Sequence, residues 1–227
     1  MIQFHPDVRY LTDYTAGSLP ASQALCVASH LHYCAHCRET VGSMNKIGGS
    51  LFRELEPVSV SESLFDSILE NIDEKQDVNI DEDKSKQSSS EASQHNRLPT
   101  VVNNFVRGGI ESLKWNRIGK GFRYSYLDMQ DKQRETSLFF INAGGKIPRH
   151  DHGGDELTVV LKGSFSDQEA CYRVGDFIVR SKGEKHTPVA AQDEDCLCLS
   201  TLEAPIKMTN WFYKLAVPFL KFRAETA

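Results

Sequence analysis

The apolar positions of the chain follow two rhythms. Over residues 1–72 they recur at helical spacing, and from Pro99 onward they come in short runs between glycine-bearing turns. Asp7 to Ala16 reads as a first helix, with Pro6 and Asp7 suited to its first turn and Gly17 to its stop. A second opens at Ser18 and Pro20 and carries Leu25, Ala28 and Leu31 on one face. A third is predicted from about Arg38 to near Leu55, ahead of Pro57 and weakened by Gly48-Gly49. A fourth runs from Glu62 to Ile72. Its Leu64, Phe65, Ile68, Leu69 and Ile72 fall on one helical face. That stripe either packs in a core or docks in a groove on another protein, and the second reading makes Leu64, Phe65, Ile68 and Leu69 candidate partner-binding residues.

Residues 73–98 lack almost all apolar side chains; Asp81-Glu82-Asp83-Lys84 and Ser88-Ser89-Ser90 typify them. Such a tract buries too little surface to offset its ordering entropy, so a flexible acidic, Ser-rich linker is predicted there. Beyond it, Val101-Val102, Trp115 to Ile118, Tyr124 to Leu127, Ser137 to Ile141, Leu157 to Leu161, Phe177 to Val179 and Cys196 to Leu199 read as strands. Strands at this spacing indicate a sandwich or barrel. Thr209 to Phe222 reads as an amphipathic tail, interrupted near Pro218 and expected to pack on the barrel. The fold expected is thus multidomain α + β: a small N-terminal helical bundle (1–72), a linker (73–98) and a β-barrel (99–227).

Charge divides along the same line. Residues 1–70 carry four Lys/Arg against eight Asp/Glu, whereas residues 99–227 carry eighteen against sixteen. An acidic helical module is a poor nucleic-acid binder and suits a basic protein partner. No run of roughly 18 apolar residues suggests a membrane span, and no secretory signal is evident, so a cytoplasmic location is expected. Thiols there stay reduced, and clustered Cys and His read as metal ligands before disulfides.

One such cluster is His30-Leu31-His32-Tyr33-Cys34-Ala35-His36-Cys37. The C-x₂-C spacing presents two sulfurs to one ion, and His30, four residues before Cys34, shares its face on a helix. His32 and His36 point elsewhere. A closed tetrahedral site needs a fourth ligand, and His5 is the candidate. Four short helices make a thin core, which a structural zinc would staple. The bland alternative is a reduced cysteine pair with incidental histidines.

A second constellation lies in Gly144-Gly145-Lys146-Ile147-Pro148-Arg149-His150-Asp151-His152, followed by Glu156 and, after Gly175 and Gly183, His186. His150 and His152 face the same way on a strand, and Glu156 adds an oxygen from the next. Three imidazoles and a carboxylate can hold zinc, manganese, iron or nickel. The alternative is a set of ordinary surface-loop residues.

With these residues in view, the second half resembles the cupin barrel, a jelly roll. The first cupin motif is matched at Gly144, His150, His152, Glu156 and Gly163, and the second at Gly175, Gly183 and His186. Ser181 stands where that motif has proline and Ala190 where it has asparagine. The whole chain resembles the ChrR family of zinc-binding anti-sigma factors, whose early His followed by H-x₃-C-x₂-C is matched at His5, His30, Cys34 and Cys37. The resemblance implies zinc in the N-terminal domain and an extracytoplasmic-function sigma factor as partner, held inactive and released under singlet oxygen or related oxidative stress. It implies no catalytic residue.

Two other functions compete with that expectation. A metal-dependent cupin enzyme of the small-molecule dioxygenase type would need an open metal position. Zinc held by His150, His152, Glu156 and His186 fills a tetrahedron, whereas iron or manganese leaves positions free. A DNA-binding zinc finger is disfavoured by the acidic charge. Cys196 and Cys198, two apart on a strand, are either small core fillers or an oxidisable pair, and no mutual disulfide is expected; Cys171 has no assigned role.

Overall fold

The computed structural model describes residues 1–73, 98–106, 108–129, 131 and 133–208. The predicted linker lies almost wholly outside these residues, and the predicted C-terminal tail lies entirely outside them. The helical half contains α1 (Val8–Thr15), α2 (Ala21–Tyr33), α3 (Ala35–Arg53) and α4 (Glu62–Asp73). Asp7 caps α1, its Oδ1 accepting the Arg9 N–H at 2.8 Å. Extended backbone at Cys34 ends α2, and the Cys34 sulfur caps α3 by accepting the Cys37 N–H at 3.4 Å. The third helix therefore starts at the C-x₂-C turn, earlier than the expected Arg38.

One expected strand is a helix. Val101-Val102 belongs to α5 (Thr100–Asn103), where Pro99 precedes the first turn and Val102 is fully buried. A tertiary contact outweighs the β preference of two valines. A 3₁₀ turn at Ile110–Ser112 leads into the sheets.

Among the described residues the β half has twelve strands: β1 (Asn116–Ile118), β2 (Phe122–Tyr126), β3 (Glu135–Ile141), β4 (His150–His152), β5 (Glu156–Lys162), β6 (Ser164–Ser166), β7 (Cys171–Arg173), β8 (Phe177–Arg180), β9 (Lys185–His186), β10 (Val189–Ala190), β11 (Cys196–Leu202) and β12 (Ile206–Met208). They form a six-stranded sheet in the order β1-β2-β3-β11-β5-β8 and two three-stranded sheets, β10-β6-β7 and β12-β4-β9. All these pairings are antiparallel. The arrangement is a cupin-like sandwich whose sheets do not close into a hydrogen-bonded ring. Gly163 turns β5 into β6 at φ +69°, and a Cβ there would run into the Asp195 carbonyl.

The six-stranded sheet is apolar on both faces. One face, with Tyr124, Phe139, Ile141, Val160, Cys196 and Cys198, looks into the sandwich. The other, with Leu138, Leu157, Val159, Leu161, Leu197 and Leu199, joins Leu25, Cys26, Val27 and Leu31 of α2 in one continuous core. The thin helical core expected from the sequence is thus completed by the sheet. A fully buried aliphatic side chain contributes roughly 1.5–3 kcal/mol, so this contact is a large part of what holds α2 in place.

Candidate metal centres

The N-terminal ligand candidates converge. His5, His30, Cys34 and Cys37 each offer a ligand atom, and these atoms lie within 4.8 Å of one another. His5 Nδ1 stands 3.4 Å from both sulfurs. His30 is fully buried on α2; its Nδ1–H donates to the Gly175 carbonyl at 2.6 Å, and its Nε2 has no hydrogen-bond partner. A lone pair aimed at two thiols from a buried imidazole is what a metal site looks like when the second ring nitrogen has been fixed by a carbonyl.

Electrostatics agree. Burial, with a smaller contribution from His5, holds the His30 imidazole down to about 4, so it is neutral at physiological pH. Burial and then Cys34 push the Cys37 thiol up to about 12. The Cys37 thiol therefore keeps its proton unless a cation displaces it. The donor set, two sulfurs and two imidazoles, fits a soft divalent ion in a closed site. His36 is exposed, with its ring 5.6 Å from that of His5, and is outside the cluster.

The second set also assembles. His150, His152, Glu156 and His186 have ligand atoms within 4.8 Å of one another, and all four are buried. Their elements explain the convergence: β4 carries His150 and His152 on one face, β9 places His186 opposite His150, and β5 begins at Glu156. His186 Nε2 lies 3.0 Å from His150 Nε2 and 3.1 Å from His152 Nε2. The Nδ1–H of His150 is committed to the Pro148 carbonyl at 2.9 Å, and that of His186 to Asp167 Oδ2 at 3.2 Å. Both Nε2 atoms of that pair are then bare lone pairs facing each other, an arrangement a cation between them relieves.

Burial, then His186, carries His150 down to about 4, and burial also lowers His186. Burial alone would raise Glu156, but the three histidines, led by His152, and the Ser200 hydroxyl bring it below the ordinary carboxylate value. Glu156 Oε1 accepts from Ser200 Oγ at 2.6 Å and Thr158 Oγ1 at 3.1 Å. Its Oε2 sits 3.2 Å from His152 Nδ1, which makes no aligned hydrogen bond. A largely apolar cavity of about 100 Å³, walled in part by Phe122, Tyr124, Phe139 and Phe165, opens beside the cluster.

Several supporting residues escaped the sequence reading. Asp167 bonds His186 and also accepts from Arg180 Nη2 at 2.6 Å. Ser200 reaches Glu156 because β11 and β5 pair it with Thr158. Such roles depend on strand register, which no local spacing reveals. The two clusters are the groups of metal-ligand type found among the described residues.

The α4 stripe has the opposite character. Leu64, Phe65, Ile68 and Leu69 are 45–63% exposed, and α3 adds exposed Ile47, Leu51 and Phe52. The three α3 residues were missed, although Ile47 and Leu51 have helical i, i+4 spacing. Cys196 and Cys198 are fully buried free thiols, with sulfurs 3.6 Å apart inside the sandwich, and Cys171 is exposed. Among the described residues no helix is long and apolar enough to cross a membrane.

Comparison with known proteins matches the family model of the ChrR Cupin-like domain to residues 104–204. The Anti-sigma-E factor ChrR of Cereibacter sphaeroides is 32% identical over 221 residues, covering 97% of this chain and 99% of the relative. The crystal structure of Rhodobacter sphaeroides SigE in complex with the anti-sigma ChrR contains a chain that superposes with TM-score 0.73 at 32% identity, covering 89% of this chain and 100% of that one. An identity of this level, sustained through both the helices and the sandwich, establishes that the chain belongs to the ChrR family.

Proposed function

We propose that the protein is an anti-sigma factor without catalytic activity: residues 1–72 bind and inhibit an extracytoplasmic-function sigma factor, and residues 99–227 govern its release under singlet oxygen or related oxidative stress. The observation that carries the reading is the full-length relationship to a protein named as an anti-sigma factor. The surface adds to it. A row of exposed leucine, isoleucine and phenylalanine on α3 and α4 is more apolar surface than a chain working alone would leave in water. A helix face of this kind fits a groove on a partner. Leu64, Phe65, Ile68 and Leu69 make the contact, joined by Ile47, Leu51 and Phe52 of α3.

The N-terminal cluster of His5, His30, Cys34 and Cys37 holds Zn²⁺, which the two-sulfur, two-imidazole donor set favours, and its chemistry is structural. His150, His152, Glu156 and His186 hold Zn²⁺ as well; manganese, iron and nickel are the alternatives that this donor set admits. The protein works in the cytoplasm, where its thiols stay reduced.

The enzyme reading draws on the cavity beside the second cluster, but the full-length relationship to a protein named as an anti-sigma factor favours regulation. Co-purification from the native host tests the proposal. A sigma factor recovered at one per chain, with two metal ions per chain of which one is zinc bound by thiolate, is the expected result. A chain that elutes alone and turns over a small molecule contradicts it.

A further inference from the structure

We propose that the Gly175-Asp176 turn of the sandwich is a working part of the N-terminal metal centre, positioning two of its four ligands, His5 and His30; this rests on the reading that the cluster holds a divalent cation. The four ligands arrive by two routes. Cys34 and Cys37 come from one helix junction and need nothing distant. The two histidines are placed by a turn more than 140 residues further along the chain.

For His30 the link is direct: the Gly175 carbonyl accepts its Nδ1–H at 2.6 Å, which fixes the tautomer and leaves Nε2 free to face the sulfurs. For His5 the link is through the main chain. Residues 2–5 form no helix or strand of their own, and a segment without such pairing depends on individual tethers for its position. Here it is held by three bonds next to His5. Asp176 Oδ1 accepts the N–H groups of Gln3 at 2.8 Å and Phe4 at 3.1 Å, and the Phe4 carbonyl accepts the Phe177 N–H at 3.0 Å. The Phe4 ring adds a contact with Tyr172, centroids 4.8 Å apart.

The turn is built for close approach. Asp176 is buried, and its second oxygen takes the Arg173 N–H at 2.8 Å, so the carboxylate cannot swing away. Gly175 has φ +90°, and a Cβ there would stand 2.6 Å from the Ile2 side chain and 2.8 Å from Tyr33 Cβ. Only glycine lets the end of α2 and the N-terminal segment meet at this turn. The Asp176 carboxylate takes its bonds from Gln3, Phe4 and Arg173, none of them a ligand candidate of the second cluster, while the main chain of the turn is held in the sandwich by Val160 of β5, whose carbonyl accepts the Gly175 N–H at 2.9 Å and whose N–H donates to the Asp176 carbonyl at 3.2 Å.

Loss of a hydrogen bond that orients a metal-bound imidazole typically costs about 10–100-fold in metal affinity. The test is a Co²⁺ titration of the full metal-free chain. The thiolate-to-cobalt charge-transfer band reports only the centre containing Cys34 and Cys37, and the d–d bands of the second cluster serve as an internal control. Asp176→Ala is expected to weaken Co²⁺ binding at the thiolate centre by about 10-fold or more, leaving the second cluster unchanged. Gln3→Pro, which removes one N–H donated to Asp176 and alters no side chain of the sandwich, is expected to shift the same band in the same direction by less. It decides the matter alone if Asp176→Ala does not fold. Wild-type affinity in Gln3→Pro and in any folded Asp176→Ala overturns the proposal. A wild-type chain with no charge-transfer band overturns the metal reading beneath it, an outcome distinct from unchanged affinity in the variants.

Discussion

His30 and Gly175, 145 residues apart in the sequence, share a buried hydrogen bond of 2.6 Å. One residue is a ligand candidate of the helical half and the other opens the second cupin motif. The bond sets the imidazole tautomer and joins the two halves at the point where the N-terminal cluster forms. Next to it, the buried face of α2 lies on the six-stranded sheet.

That shared core predicts joint unfolding. Val27 is fully buried between α2 and the sheet, and Val27→Asp places an unpaired carboxylate there. The variant should lose several kcal/mol, with helical and sheet signals lost in a single thermal transition. Two separated transitions in the wild type would mean that the helices and the sandwich hold themselves up independently.

Cys34→Ser removes one N-terminal ligand and the sulfur that caps α3. The expected outcome is loss of about one zinc per chain, loss of helicity in the N-terminal half and loss of sigma binding. Metal analysis with far-ultraviolet circular dichroism checks it; full helicity and unchanged binding in the variant would contradict a structural metal.

Phe65→Asp and Ile68→Asp test the helix surface. These side chains are 63% and 50% exposed, so the substitutions should leave Tm within a few degrees of wild type. Sigma binding, read by calorimetry, should weaken by about 30-fold or more for the pair, the scale of an interface hot spot. Unchanged affinity would remove α4 from the interface.

His150→Ala and His186→Ala each take a ligand candidate from the second cluster without touching α1 to α4. Sigma inhibition in unstressed cells should stay nearly intact, while release under a photosensitiser and light should be blunted or bypassed. Reporter transcription from a sigma-dependent promoter measures both. Wild-type induction in both variants would leave the second cluster without a signalling role.

Much of this was legible in short-range spacing. His30, Cys34 and Cys37 lie within eight residues, and His150, His152 and Glu156 within seven, so their side-chain types and intervals declare what they can hold. Recruiting His5 needed the demand for a fourth ligand and the family pattern. What spacing hides is register and long-range packing. Asp167, Ser200 and Asp176 act on residues 19, 44 and more than 170 positions away, through strand pairings and a turn that no local pattern encodes. Val101-Val102 misled for the same reason: burial of Val102 and the preceding Pro99 decided a short helix over a strand. The α2 face looked like the inside of a small bundle because its apolar positions do not say whether a helix or a sheet will cover them.

The central claim is that this chain holds a sigma factor inactive through metal-dependent helices. Run-off transcription with RNA polymerase core, an extracytoplasmic-function sigma factor of the same host and increasing amounts of the purified protein tests that most directly. The account predicts that the zinc-loaded protein abolishes sigma-dependent transcripts near one chain per sigma factor and that Cys34→Ser does not. Undiminished transcription with the zinc-loaded protein in excess would contradict it.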